Sequence, residues 1–190
     1  MRLALKSLFV FLLPLIFIPV GVFADIDDGF GASRSIQGRH FTIYYAPQLD
    51  AQELARQLNV GISDRLLAGQ AVGTGSVNLA EMIDALFVRV CGILDMHLYS
   101  YEGKIKVCRD HNQLKEIYRY LFGSDLGNIR SFYVHELNTV YISLENFKRE
   151  VIGHEIGHAV ISHYFVVLPS MKVQEVLAVY VEYQLRKGSE

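Results

Sequence analysis

Two histidines and a glutamate are spaced so that they can share a metal ion. His154, Glu155 and His158 occur in the order His-Glu-x-x-His. On a helix, residues four apart project from the same face, so both imidazoles can point at one position. Two imidazoles are a common part of a zinc site, and the intervening glutamate can act as a general base towards bound water. The motif therefore predicts zinc-assisted hydrolysis, against the alternative of a core helix with two hydrogen-bonded histidines.

A tetrahedral zinc site needs a third protein ligand, and Glu175 is the candidate. It lies in an apolar segment, residues 174–183, where a carboxylate is costly to bury unless a cation or several donors receive it. Pro169 redirects the chain between this segment and the histidines, so a second helix can fold back on the first. The alternative is that Glu175 is a helix-start residue that interacts with the helix macrodipole.

Between residues 139 and 183 the chain resembles the gluzincin metallopeptidases, in particular the peptidase MA-like group. That group has His-Glu-x-x-His followed by a second motif, Glu-Gly-x-Ala-x-Tyr. The second motif of this chain reads Glu175-x-x-Ala178-x-Tyr180. The resemblance implies a zincin-like fold and one zinc ion per chain. It implies these roles: His154, His158 and Glu175 as ligands, and Glu155 as the general base.

Two positions depart from the pattern of that family. Val176 stands where glycine is common after the third ligand, and Val179 stands where relatives carry an acid that orients a ligating histidine. Glu182, one turn further along the same face, can replace that acid. The oxyanion formed during hydrolysis also needs a donor besides the metal. The candidates are Tyr180, Tyr183, His135 and His163.

The N-terminal segment, residues 1–24, is typical of a secretory signal peptide. Arg2 and Lys6 precede an apolar run, residues 8–23, and small residues stand at the cleavage site, which is expected after Ala24. The alternative is an uncleaved membrane anchor, which the prolines within the run disfavour. We therefore expect a secreted protein, in the bacterial periplasm or outside the cell, with no stable membrane span after cleavage.

Charge and cysteine content indicate the kind of binding partner and the state of the thiols. The formal net charge of the 190 residues is −2, and no basic cluster occurs, which argues against a nucleic-acid partner and favours a peptide or protein substrate. The chain has two cysteines, Cys91 and Cys108. In a secreted chain an even pair favours a disulfide. The alternative is two buried free thiols.

The remaining sequence indicates one α+β domain. Residues 25–38 are polar and glycine-rich and are expected to form a flexible leader before a single domain over residues 39–190. Periodicity predicts strands at 40–45, 103–108, 131–134 and 138–144, and helices at 49–67, 77–98, 112–122, 147–164 and 174–183. A small mixed sheet would then pack against the metal helix and the ligand helix. The strand at 138–144 is expected to line the cleft and, if it is an edge, to pair with an extended peptide.

The leading hypothesis is a secreted zinc-dependent metallopeptidase in which Glu155 accepts a proton from the attacking water and passes it to the leaving amine. One alternative is a zinc hydrolase that acts on cell-wall peptide cross-links. The other is a zinc-stabilised binding domain without catalysis. The intact Glu155 argues against the latter, because a structural zinc site needs no base.

Overall fold

The computed structural model of the chain describes residues 27–67, 69 and 78–187, and the predicted signal peptide lies outside them. Five strands form one sheet: β1 Arg34–Gln37, β2 Phe41–Tyr45, β3 Gly103–Cys108, β4 Ser131–Val134 and β5 Thr139–Ser143. The described residues also form six α-helices: α1 Ala51–Leu58, α2 Ile62–Leu67, α3 Leu79–Leu94, α4 His111–Phe122, α5 Arg149–Tyr164 and α6 Met171–Lys187.

The sheet is mixed and has the order β1-β2-β3-β5-β4. Strands β2, β3 and β5 run parallel, whereas β1 and β4 pair antiparallel with β2 and β5. This architecture is compatible with the expected α+β class. The strand expected at 138–144 is not an edge, because β4 forms the hairpin with β5 and covers its outer side. The edge of the sheet on this side is therefore β4.

Strand residues alternate between two hydrophobic clusters, as expected for side chains that point to opposite faces of a sheet. Ile105 and Val107 of β3 belong to the larger cluster, which also contains residues of α1, α3, α5 and α6. The next residue, Cys108, belongs to a smaller cluster with Leu114 and Ile117 of α4. One face of the sheet thus carries α4, and the other carries the helices that hold the predicted site.

The predicted disulfide between Cys91 and Cys108 is wrong. Both cysteines are free and buried. Cys91 packs in the larger cluster and Cys108 in the smaller one. Because the sheet lies between the two clusters, the sulfur atoms cannot reach bonding distance. The chain therefore has two buried thiols, which was the alternative.

The expected flexible leader is partly regular structure. Arg34–Gln37 forms β1, which pairs antiparallel with β2. Before it, Asp28 is buried and its carboxylate lies 2.5 Å from Nζ of Lys106 on β3. The polar composition concealed this strand because an exposed edge strand can carry polar side chains on both faces.

The long helix predicted over residues 49–67 is two helices. Asn59 adopts a left-handed conformation with φ 43° and ends α1. Asp50 and Asp110 cap the starts of α1 and α4 with side-chain hydrogen bonds. No helix within the described ranges is long and apolar enough to cross a membrane.

Close packing of α5 against α6 sets the geometry of the predicted site. α5 is buried on almost every side, which explains why its apolar residues are not confined to one face. A Cβ atom added at Gly153 would lie 2.1 Å from Cδ1 of Leu185, so a larger residue at this position of α5 would displace the end of that side chain of α6. Arg149 at the start of α5 donates a 2.6 Å hydrogen bond to the carbonyl oxygen of Leu185. This bond joins the start of α5 to the C-terminal end of α6.

Candidate metal centre

Helices α5 and α6 bring the three expected ligands together. His154 and His158 are one turn apart on α5, and their Nε2 atoms are 3.2 Å apart. Glu175 lies opposite on α6, with Oε1 3.4 Å from Nε2 of His158 and Oε2 3.8 Å from Nε2 of His154. One donor atom from each of the three residues lies within 4.8 Å of the others, so this group could hold a metal ion.

The start of α6 is fixed by local hydrogen bonds, which explains the position of Glu175. The backbone N–H groups of Val173 and Gln174 donate to the carbonyl oxygen of Ser170, so the helix begins there. The side chain of Gln174 donates a 2.8 Å hydrogen bond back to the carbonyl oxygen of Pro169. These bonds turn the chain after the proline and place the first turn of α6 beside the histidines.

Burial keeps both histidines neutral at physiological pH. It lowers the pKa of His158 to about 4, with a further contribution from His154. Burial also lowers the pKa of His154, although the carboxylates of Glu175 and Glu182 act in the opposite direction. A histidine ligand must present a free nitrogen lone pair, so the neutral state suits metal binding.

Glu155 lies beside the three candidate ligands without belonging to their group. It is 5% exposed, and its Oε1 accepts a 2.7 Å hydrogen bond from Oγ of Ser131 on β4. Burial raises the pKa of Glu155 to about 7; the hydrogen bond from Ser131 lowers it, and the charges of Glu175 and Glu182 raise it. A carboxylate with this pKa can accept and return a proton near neutral pH.

Two cavities meet at His154 and Glu155. The larger has a volume of about 550 Å³ and extends along β4. Its wall includes the other two candidate ligands, His158 and Glu175. The smaller, of about 260 Å³, is lined by Glu182 and by the segment before β4. The candidate site is therefore open to solvent on the side of the edge strand.

Glu182 is placed where it can hold one of the ligands. Its Oε2 lies 3.5 Å from Nδ1 of His154, a buried nitrogen that makes no hydrogen bond within the described residues, and the same side chain pairs with Arg186. Its role in orienting the ligating histidine stays a prediction.

The structure does not bring Tyr180, one of the expected oxyanion donors, to the site. Tyr180 and Tyr183 are both about half exposed, and neither lines either cavity. His163 donates a 2.9 Å hydrogen bond from Nδ1 to the carbonyl oxygen of Ala159 and also lies outside both cavity walls. Of the four candidates, His135 alone lines the larger cavity in the described part of the chain.

Sequence analysis missed Ser131 and Arg130. Ser131 is the first residue of β4 and shares the α5-facing side with Tyr133 by the alternation of strand residues. The alternation can be read from the sequence. Which residue of α5 Ser131 contacts depends on how the strand and the helix pack, and these elements are distant in sequence. Arg130 lines the smaller cavity, and its charge acts to lower the pKa of His154.

The site combines three groups that could bind a metal ion with a buried carboxylate beside them. Nitrogen and oxygen donors together suit a divalent ion such as zinc better than they suit calcium or magnesium, which prefer oxygen alone. Comparisons of the chain with protein-family models, with curated proteins and with solved structures find no match.

Proposed function

We propose that the chain is a secreted, zinc-dependent metallopeptidase of the gluzincin type. His154, His158 and Glu175 are its ligands, and Glu155 is its general base. The observation that carries this proposal is the convergence of three donor atoms within 4.8 Å, beside a buried carboxylate that does not belong to the group. Two imidazoles and one carboxylate are a donor set of catalytic zinc sites, and a purely structural site has no use for the fourth residue.

A zincin-like arrangement is part of the proposal. It is supported by the packing of α5 between the sheet and α6, and by the position of the antiparallel edge strand β4 next to α5. The two helices then supply the ligands, while the strand supplies one wall of the cleft.

The protein side chains around the site have separate tasks in peptide hydrolysis. When bound, a zinc ion would polarise the scissile carbonyl group and lower the pKa of a water molecule. Glu155 takes the proton of the attacking water and delivers it to the leaving amine. The hydroxyl group of Ser131 holds that carboxylate in place, and Glu182 restrains the imidazole of His154. His135, on the cavity wall, is the candidate donor to the oxyanion.

The edge of β4 supports a peptide as the substrate. Its outer side has no strand partner among the described residues, and all four of its residues line the larger cavity. An extended peptide can pair with free backbone N–H and C=O groups at such an edge. This would lay the substrate along the cavity that contains His154, Glu155 and His158.

The test compares Glu155→Gln with Glu150→Gln, a matched change in the first turn of the same helix. Zinc content is measured by mass spectrometry of the metal, and hydrolysis is measured on a mixture of quenched fluorescent peptides. We expect the unchanged protein and both variants to bind one zinc per chain. We expect Glu155→Gln alone to lose at least about 100-fold in hydrolysis rate, the usual contribution of a general base.

Three outcomes would contradict the proposal in different ways. Hydrolysis that survives Glu155→Gln would exclude this residue as the base. Bound zinc without peptide hydrolysis in the unchanged protein would favour a zinc-stabilised binding domain. Activity restricted to cross-linked cell-wall peptides would favour the other hydrolase.

A further inference from the structure

Exposed apolar side chains are concentrated in the α5–α6 loop and on the outer side of α6. In the loop, Val166 is fully exposed and Val167 is 82% exposed. Scattered exposed apolar residues are ordinary, but a run of them along one loop and one side of the following helix is typical of an interaction surface. We call this patch the α5–α6 surface; it consists of Phe165, Val166, Val167, Leu168, Met171, Val173, Val176, Val179, Tyr180 and Tyr183.

The apolar stripe on the outer side of α6 is additional to the stripe that packs in the core. The core stripe consists of Gln174, Ala178, Val181 and Leu185, which are buried. Val176, Tyr180 and Tyr183 lie on the opposite side of the helix and are exposed. A surface helix usually carries polar residues there, so packing within the chain does not account for the second stripe.

The charges around the outer stripe are positive. Lys172 in the first turn of α6 and Lys187 in its last turn are both exposed and lie on the same outer side as Tyr183. The acidic residues of the helix, Glu175 and Glu182, turn instead towards His154. The outer side of α6 is therefore apolar in the middle and basic at both ends.

We propose that the α5–α6 surface docks on the surface of an anionic lipid membrane. A helix with an apolar face flanked by lysines lies in the membrane interface, where lysines reach the phosphates and tyrosines lie at headgroup level. The aliphatic tip formed by Val166 and Val167 enters the acyl boundary beside it. The expected export signal, residues 1–24, would bring the chain to a membrane during secretion, before its removal.

The lysines also distinguish a membrane from a second copy of the chain as the occupant. If two α6 helices packed antiparallel through their outer sides, Lys172 of one copy would approach Lys187 of the other. In a parallel pair each lysine would approach its own equivalent. Both arrangements bring like charges together, which is unfavourable, whereas anionic lipid headgroups neutralise the lysines.

The docking surface adjoins the larger cavity. Leu168 and Met171 belong to the α5–α6 surface and also line the cavity that contains the histidines. Docking would therefore hold the mouth of this cavity against the membrane. If the proposed function holds, on which this consequence rests, the substrates are polypeptide segments close to the lipid surface.

The absence of tryptophan from the sequence makes a direct test possible, because one introduced indole reports on one position. Val166→Trp places the indole at the loop tip. Tyr120→Trp is the matched control, because Tyr120 is exposed on α4, on the opposite face of the sheet. Each full chain is mixed with vesicles of phosphatidylglycerol and phosphatidylcholine, with and without bromine on the acyl chains.

We expect the indole of Val166→Trp to shift its emission to shorter wavelength with vesicles and to be quenched by the brominated lipid. The indole of Tyr120→Trp should show neither effect. This comparison holds whether or not residues 1–24 remain attached, because quenching reports the depth of the indole itself. Adding Lys172→Gln or Lys187→Gln should weaken the lipid-dependent shift, with an about fivefold lower partition for each lysine.

Two results would overturn the proposal. The first is an indole at position 166 that vesicles neither shift nor quench more than the indole at position 120. The second is emission already shifted before lipid is added, which would mean that a second copy or another part of the chain covers the surface. If Val166→Trp does not fold, as judged by circular dichroism, Val167→Trp takes its place in the same comparison.

Discussion

Ser131 and Glu155 are joined by a 2.7 Å hydrogen bond that connects the edge strand β4 with α5. Both residues are buried. The bond is strongest when Glu155 is ionised, because an ionised acceptor roughly doubles the strength of a hydrogen bond. The charge on the proposed base is therefore coupled to the strand on which a substrate peptide would lie.

Replacing Ser131 by alanine should raise the pKa of Glu155 above its value of about 7 in the metal-free protein. The hydroxyl group stabilises the charged carboxylate, so its loss favours the protonated form. The titration can be followed by carbon NMR with labelled glutamate. Ser162→Ala is the control, since Ser162 lines the same cavity but donates to the carbonyl oxygen of His158. An unchanged titration in Ser131→Ala would mean that the hydrogen bond does not control this carboxylate.

Zinc affinity should separate the two carboxylates beside the histidines, Glu175 and Glu182, from a distant carboxylate. Glu175→Gln removes a ligand and should weaken binding most. Glu182→Gln removes the group beside Nδ1 of His154 and should weaken it by about 10–100-fold. Glu116→Gln, an exposed change on α4, should leave affinity unchanged. Competition with a zinc-binding dye measures all three, and an unaltered affinity in Glu175→Gln would remove the third ligand from the proposed site.

The two glycines of α5 that face α6 should respond differently to the same substitution. At Gly153 an added Cβ would meet Leu185 at 2.1 Å, so Gly153→Ala must displace that buried side chain and should destabilise by about 1–3 kcal/mol. At Gly157 the nearest atom, Cα of Ala178, is 3.6 Å away, an ordinary contact. Gly157→Ala should therefore be neutral, or stabilise by up to about 1 kcal/mol through helix propensity.

Urea unfolding of the two metal-free variants gives this comparison directly. Zinc binding of Gly153→Ala provides a second readout, because a shift of α6 would move Glu175 away from the histidines. Equal stabilities of the two variants would contradict the inferred close approach of the helices.

The elements that carry the candidate site follow from local sequence signals. The spacing of His154 and His158 fixes their common face once a helix forms, and the apolar segment around Glu175 predicts a second helix. The two strands of the β4–β5 hairpin were also predicted, because both are β-branched and aromatic runs separated by a short polar segment. The convergence of these three residues then required only that two consecutive helices pack together.

The errors concern contacts between residues that are distant in sequence. The sequence does not show that β4 is the outer strand, so neither the edge nor the bond from Ser131 to Glu155 was predicted. The prediction of a disulfide was wrong because the side of the sheet that each cysteine faces depends on strand pairing. β1 was missed because it is an exposed edge strand. Most of its side chains face solvent, so its sequence shows no hydrophobic alternation.

The buried ion pair between Asp28 and Lys106 should be a large contributor to stability. Nζ of Lys106 lies 2.5 Å from the carboxylate, within 6 Å of the rings of Phe30, Tyr44 and Tyr141. Asp28→Asn leaves the ammonium group buried without its counter-charge, which should destabilise the protein by about 3–5 kcal/mol. The double variant Asp28→Asn, Lys106→Met should recover most of this loss, because it removes the unpaired charge as well.

The same pair sets a direction for the pH dependence of stability. Burial acts to raise the pKa of Asp28, but the hydrogen bonds from Lys106 and Tyr141 outweigh it, so the pKa lies below the usual 3.8. The unfolded chain therefore takes up the proton first on acidification. The contribution of Asp28 is complete above pH 3.8 and is lost as the pH falls through the lower pKa of the folded state. Urea unfolding between neutral and acid pH measures this loss, which should disappear in the double variant. A destabilisation in Asp28→Asn of only about 1 kcal/mol, typical of an exposed pair, would mean that water reaches the lysine and that this segment is not anchored by the buried charge.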